Sequence, residues 1–123
     1  MYVYYNSNPV ANHVGDCAVR AISKVLDISW EDAFNKLAVN AFRMGDMPSS
    51  NNVIASVLRM NGFYKENLPD TCPDCYTIRK FCRDNPVGTY VLGTGSHVVA
   101  VINGNYYDSW DSGDEVPLYV WMK

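Results

Sequence analysis

The chain has 123 residues, 48% of them hydrophobic, which is room for one domain over residues 1–123 with a modest core and not for a second. Ten basic side chains stand against 13 acidic ones, a formal net charge of −3, so no positive excess exists to neutralise a phosphate backbone and no nucleic-acid partner is expected. No apolar run approaches the roughly 20 residues of a membrane span, and the opening MYVYYNSNPV lacks the basic and apolar parts of a secretory signal; a cytoplasmic protein without a membrane partner is expected.

Residues Tyr2 to Tyr5 have the aromatic and β-branched character of a short strand, and the polar stretch NSNPVANHVGD after them reads as a loop. Asp16 is placed as N-cap of a first helix, whose apolar residues Cys17, Ala18, Ala21, Ile22, Val25 and Leu26 cover most of its circumference. Ser29, with Asp32 three residues on, opens a second helix that ends at Gly45, with Trp30, Ala33, Phe34, Leu37, Ala38, Ala41 and Phe42 on its inner face. A third helix starts near Ser49 or Ser50, turns Val53, Ile54, Val57 and Leu58 inward, and stops at Asn61-Gly62. The stretch from Tyr64 to Asp74 reads as a surface loop, and a short fourth helix runs from about Asp74 to Arg83 ahead of Asn85-Pro86. Beyond Gly88 the segments TYVLG, HVVAVI, NYYDSW and VPLYVW predict a β-meander. Helices first and antiparallel strands afterwards make an α+β fold, the helices packing on the sheet.

Cys17 stands at the first turn of a buried helix, where unpaired backbone N–H groups and the helix dipole favour an anion and so a reactive thiolate. Its backbone N–H is also aimed to stabilise the oxyanion of a tetrahedral intermediate. A second group comes from the hairpin dipeptide Asn103-Gly104. With those two residues in the loop, Ile102 opposes Asn105, Val101 opposes Tyr106, Val99 opposes Asp108 and His97 opposes Trp110. Alternation then puts His97, Val99, Tyr106, Asp108 and Trp110 on one face, with Asp108 diagonal to His97. Asp108, rather than Asn105 or Asp111, is the group selected to orient the imidazole, and Trp110 is selected to shield their hydrogen bond. Each residue has an ordinary structural use, Cys17 as a small core side chain and His97 as a strand histidine; the combination is what points to chemistry.

The order Cys17, His97, Asp108 resembles that of the papain-like cysteine peptidase superfamily. GDCAVRAISKVL and GSHVVAVINGNYYDSWD are more closely similar to small papain-fold proteins of bacteriophages and prophages. The resemblance implies a papain-like domain in a bacterial cytoplasm, a thiolate–imidazolium pair, and acyl transfer through a thioester on a peptide, protein or isopeptide-linked substrate, with no cofactor. It also implies a Gln or Asn about six residues before the nucleophile as oxyanion donor. Ala11 holds that position here, so Asn12, Asn8 and Asn6 are the candidates. A binding module that keeps the fold without efficient catalysis, and an assembly component of a virion, are the alternative functions.

Other features give weaker readings. The CPDC segment at Cys72–Cys75, with Cys82 beyond it, lacks a fourth zinc ligand, and all four cysteines are expected as free thiols. His13 has no partner placed by the sequence. Asp108, Asp111, Asp114 and Glu115 read as a solvated run rather than a calcium loop. No metal site is expected, and the oligomeric state is left open.

Overall fold

A computed structural model describes residues 1–123. Ten elements follow the chain: β1 (Tyr2–Tyr4), α1 (Cys17–Leu26), α2 (Trp30–Met44), α3 (Asn51–Met60), β2 (Tyr64–Asn67), α4 (Ile78–Asp84), β3 (Thr89–Gly93), β4 (Val98–Ile102), β5 (Asn105–Asp108) and β6 (Tyr119–Met122). The strands form one sheet in the order β1-β5-β4-β3-β6-β2, antiparallel except where β1 runs parallel to β5. The fold is α+β, with the N-terminal helices packed on a mostly antiparallel six-stranded sheet.

Both faces of the sheet are covered, and strand alternation divides the side chains between them. Val91, Val98 and Trp121 join Ala18, Ile22, Leu37, Val53, Val57 and Leu58 in a core shared with α1, α2 and α3. Their neighbours Leu92, Val99, Val101, Tyr106 and Val120 pack with Ile78, Phe81 and Cys82 of α4. Ile22, Leu37 and Leu58 are fully buried, and each such side chain contributes roughly 1.5–3 kcal/mol of hydrophobic stabilisation.

The expected helix boundaries hold for α2 and α3. Ser29 Oγ accepts from the Asp32 N–H at 3.0 Å, and Ser50 Oγ accepts from the Asn52 N–H at 3.2 Å. The inner face of α2 is narrower than its sequence suggests: Ala33, Leu37, Asn40 and Ala41 are buried, while Phe34 and Phe42 are 41% and 89% exposed. Residues 34, 38 and 42 form the adjacent stripe, one step of about 100° around from 33, 37 and 41.

Asp16 precedes α1, but its side chain does not cap the helix. Its carboxylate is taken by Arg20 and by the indole N–H of Trp30, at 2.9 Å for the latter. The fourth helix begins at Ile78, later than expected, because Thr77 is the working cap and accepts from the Lys80 N–H at 3.2 Å. Ahead of it Cys72 and Cys75 are joined in a disulfide, so only Cys17 and Cys82 are free thiols, against the expectation of four. At a separation of three residues the two Cα atoms lie 4.1 Å apart, and the local turn, rather than any long-range contact, brings the sulfurs together.

Two corrections concern the sheet. Tyr64–Asn67, expected as loop, is the edge strand β2 on β6, with Tyr64 opposite Met122 and Asn67 opposite Tyr119. Only β3, β4 and β5 make a meander; β6 crosses to the far side of β3. The segment between Asp108 and Tyr119 is too long for a tight hairpin, and a long connection frees the next strand to pair elsewhere.

Candidate active site

The Asn103-Gly104 turn forms as expected, with Asn103 at φ 50° and Gly104 at φ 78°, the left-handed pair that a two-residue hairpin of this type requires. The Asn103 side chain accepts from the Gly88 N–H at 3.0 Å, which anchors the turn to the start of β3. The register is the expected one: Ile102 opposite Asn105, Val101 opposite Tyr106, then Ala100 opposite Tyr107. There the β4–β5 ladder ends, and Asp108 continues on β1, paired with Tyr4. Val99–Asp108 and His97–Trp110 are therefore not ladder pairs, and the expected shared face does not hold: Val99 and Tyr106 turn toward α4, whereas beyond the end of the ladder His97 meets Asp108 and Trp110, with Asp108 bonded to Arg20 of α1. His97 lies in the β3–β4 turn, whose close is marked by the Thr94 N–H donating to the His97 carbonyl at 2.8 Å.

Nε2 of His97 lies 2.6 Å from Oδ2 of Asp108, and the indole of Trp110 packs on the imidazole with centroids 5.1 Å apart. Trp110 is 46% exposed, so it covers one side of the ring and leaves its own outer face to solvent. Asp108 is 1% exposed, and four donors reach it: Arg20 and the Ser109 N–H at Oδ1, His97 and Ser112 Oγ at Oδ2.

Cys17 opens α1 and lines the same cleft as His97. With Nε2 committed to Asp108, Nδ1 is the nitrogen left for the thiol. Burial pushes the Cys17 thiol up, but the His97 and Val98 hydrogen bonds, the imidazole charge and Arg20 outweigh it and hold the thiol below its ordinary value. Burial opposes protonation of His97; its bonds to Asp108 and Cys17 prevail and raise it to about 9. Burial likewise works against the Asp108 carboxylate, and the donors His97 and Ser112 bring it below the usual range. Both shifts run in the direction of a thiolate paired with an imidazolium. The other free thiol, Cys82, lies buried on α4 and is pushed up by that burial.

Cys17 and His97 open onto a cleft of about 660 Å³ between the start of α1, the start of α3 and the β3–β4 turn, with Trp110 at its edge and Asp108 buried behind His97. Its walls are tied together by Asn51, whose Nδ2 donates to the Gly95 carbonyl at 3.2 Å. Because Asp16 does not cap α1 with its side chain, the first-turn N–H groups at Cys17 and Ala18 face no competing carboxylate and are available to an oxyanion.

None of the three asparagines expected as oxyanion donors lines this cleft. Asn6 and Asn8 close their own loop instead. Asn6 donates to the Asn12 carbonyl at 3.2 Å and accepts from the Asn8 N–H, and Asn8 Oδ1 accepts from the N–H groups of Val10 and Asn12 at 3.0 and 3.2 Å. Ala11 sits in the left-handed region at φ 54°, held by that turn. His13 is exposed and outside the cleft.

Sequence reasoning gave no role to Arg20, Ser112 or Asn51. Arg20 alone carried a visible signal, a charged residue among Ala18, Ala21 and Ile22 on a helix read as buried. Nowhere do three or more His, Cys, Asp or Glu side chains converge to hold a metal ion. No helix is long and apolar enough to cross a membrane. Comparison with protein-family models, with curated proteins and with solved structures finds no match to this chain.

Proposed function

We propose that the protein is a papain-like cysteine hydrolase acting on an amide or ester carbonyl, with Cys17 as nucleophile, His97 as general base and acid, and Asp108 as the carboxylate that orients the ring. One observation carries the reading: the His97 imidazole, bonded to the buried Asp108, lines the same cleft as the Cys17 thiol at the opening of α1.

The Cys17 thiolate would attack the carbonyl carbon, and the oxygen would take the negative charge facing the first-turn N–H groups of α1. As the tetrahedral intermediate collapses, the imidazolium gives its Nδ1 proton to the departing amine or alkoxide, leaving a thioester on Cys17. Water then adds to the thioester and His97 takes its proton. Collapse releases the acid and restores the thiolate, with the proton back on His97. Asp108 keeps Nε2–H donated to itself throughout, so Nδ1 always faces the sulfur. The cleft suits a peptide, protein or isopeptide-linked chain, and the likeness to small phage and prophage papain-fold proteins suggests such an origin and a bacterial cytoplasm.

Iodoacetamide at pH 6, read by peptide mass spectrometry, tests the reading. Cys17 should be alkylated at least tenfold faster than Cys82, and His97→Ala should remove that advantage; equal rates at the two cysteines rule the reading out. A second reading, a papain-fold binding module that sequesters a partner protein, is favoured by the absence of any asparagine or glutamine expected as oxyanion donor from the cleft. It predicts the same alkylation but no steady-state release of product from activated thioester or peptide substrates.

A further inference from the structure

Arg20 lies one helical turn after Cys17 and is 5% exposed. Its guanidinium joins two carboxylates from separate parts of the chain: Asp16, just ahead of α1, and Asp108 at the end of β5, where Nη2 donates to Oδ1 at 3.0 Å. Asp16 is fixed in turn by the Trp30 indole of α2. A buried cation between two carboxylates is seldom the most stable use of such a position, since apolar side chains of similar volume often serve as well or better. Another reason for the arginine is needed.

The donors around Asp108 supply it. His97, Ser109 and Ser112 all belong to the 97–112 segment and move with it, whereas Arg20 is the one donor that comes from the helix carrying the nucleophile. With two donors on each oxygen the carboxylate has no free rotation, and Oδ2 stays directed at His97. We propose that Arg20 is a positioning residue that locks the His97–Asp108 pair of the hairpin in register with the Cys17 thiol on α1.

This inference rests on the cysteine-hydrolase reading. It goes further by assigning the alignment of two halves of the site to a side chain that touches neither the thiol nor the imidazole through a hydrogen bond. A lysine cannot replace it in full, because a single ammonium does not span two carboxylates in a fixed fork. The charged and titratable groups that act on the thiol are His97 and Arg20, which in turn hold Asp108 and Asp16, together with Tyr119 of β6, whose phenol is raised by burial and by the Cys17 charge.

The test is the pH profile of Cys17 alkylation by iodoacetamide in the wild type, Arg20→Lys and Arg20→Met, with folding followed by circular dichroism. The wild type should show rapid alkylation at pH 6. Arg20→Met should lose at least tenfold of that rate and move the profile midpoint to higher pH, and Arg20→Lys should recover only part of the loss. If Arg20→Met does not fold, Arg20→Lys decides alone: a loss of threefold or more at pH 6 in a folded protein sustains the proposal. Profiles for the folded variants within twofold of wild type at every pH overturn it and leave the hydrolase reading intact. A wild type whose Cys17 reacts at pH 6 no faster than an ordinary thiol overturns the hydrolase reading and this inference with it.

Discussion

Oδ2 of Asp108 lies 2.6 Å from Nε2 of His97, and Asp108 is the more deeply buried partner, at 1% exposure. A buried carboxylate in that position does two things. It favours a proton on the imidazole, and by occupying Nε2 it leaves the second nitrogen as the one free for another partner.

Asp108→Asn keeps the shape and removes the charge. His97 should then titrate well below about 9, and turnover of an activated ester or thioester should fall by roughly 10²–10⁴. Arg20 would lose one of its two carboxylates in a buried setting, at a cost of about 3–5 kcal/mol in stability by urea denaturation. An unchanged His97 titration by NMR would show that Asp108 does not hold the proton.

The histidine also links stability to pH, with a definite sign. Its folded value of about 9 lies above the roughly 6.5 of an unfolded histidine, so the native state binds the proton more tightly. That contribution is complete below about pH 6.5 and disappears as pH rises through about 9. Asp108, lowered in the fold, limits the acid side, since its contribution is lost as pH falls through its folded value. Denaturation midpoints of wild type and His97→Gln should accordingly differ most between about pH 5 and 6.5 and converge by about pH 9.5. A constant difference across that range contradicts the ion pair.

Gly93 pairs with Tyr119 across β3 and β6, and an added Cβ would clash with the phenol end of the Tyr119 side chain, at Cζ and the hydroxyl oxygen. Gly93→Ala should cost about 1–3 kcal/mol through overpacking. Combined with Tyr119→Leu, the loss should be smaller than the sum of the two single losses, because the shorter side chain vacates the space. Urea denaturation of the four proteins in the cycle measures this.

Asn8 separates a loop-closing role from an oxyanion role. Its Oδ1 accepts from two backbone N–H groups in the 8–12 turn, so Asn8→Ala should lower stability by about 1–2 kcal/mol. Cys17 alkylation and turnover should stay within about threefold. A hundredfold fall in turnover with alkylation unchanged would return Asn8 to the oxyanion hole.

The three residues of the site were legible in the chain because two of them depend on a local device. Asn103-Gly104 fixes the hairpin and its register as far as Ala100–Tyr107, and just beyond the end of that ladder His97 and Asp108 come together. Cys17 was legible for a similar reason, since a helix start is announced by nearby residues. Phe42 shows the limit of that kind of reading: its spacing suits an inner helical face, and only the position of α1 and α3 against α2 leaves it 89% exposed.

The sequence by itself determined the four helices, the strands except β2, the Asn103-Gly104 hairpin, and Cys17, His97 and Asp108 as candidates, each read from its own neighbourhood of a few residues. Tertiary structure alone decided that β6 crosses to β3, that Tyr64–Asn67 pairs with β6, and that Arg20 reaches Asp108, 88 residues away in the chain. The reason is physical. Dihedral preference and hydrophobic period act over a few residues, whereas the partner of a buried charge is set by which elements pack together, and that is a property of the whole fold.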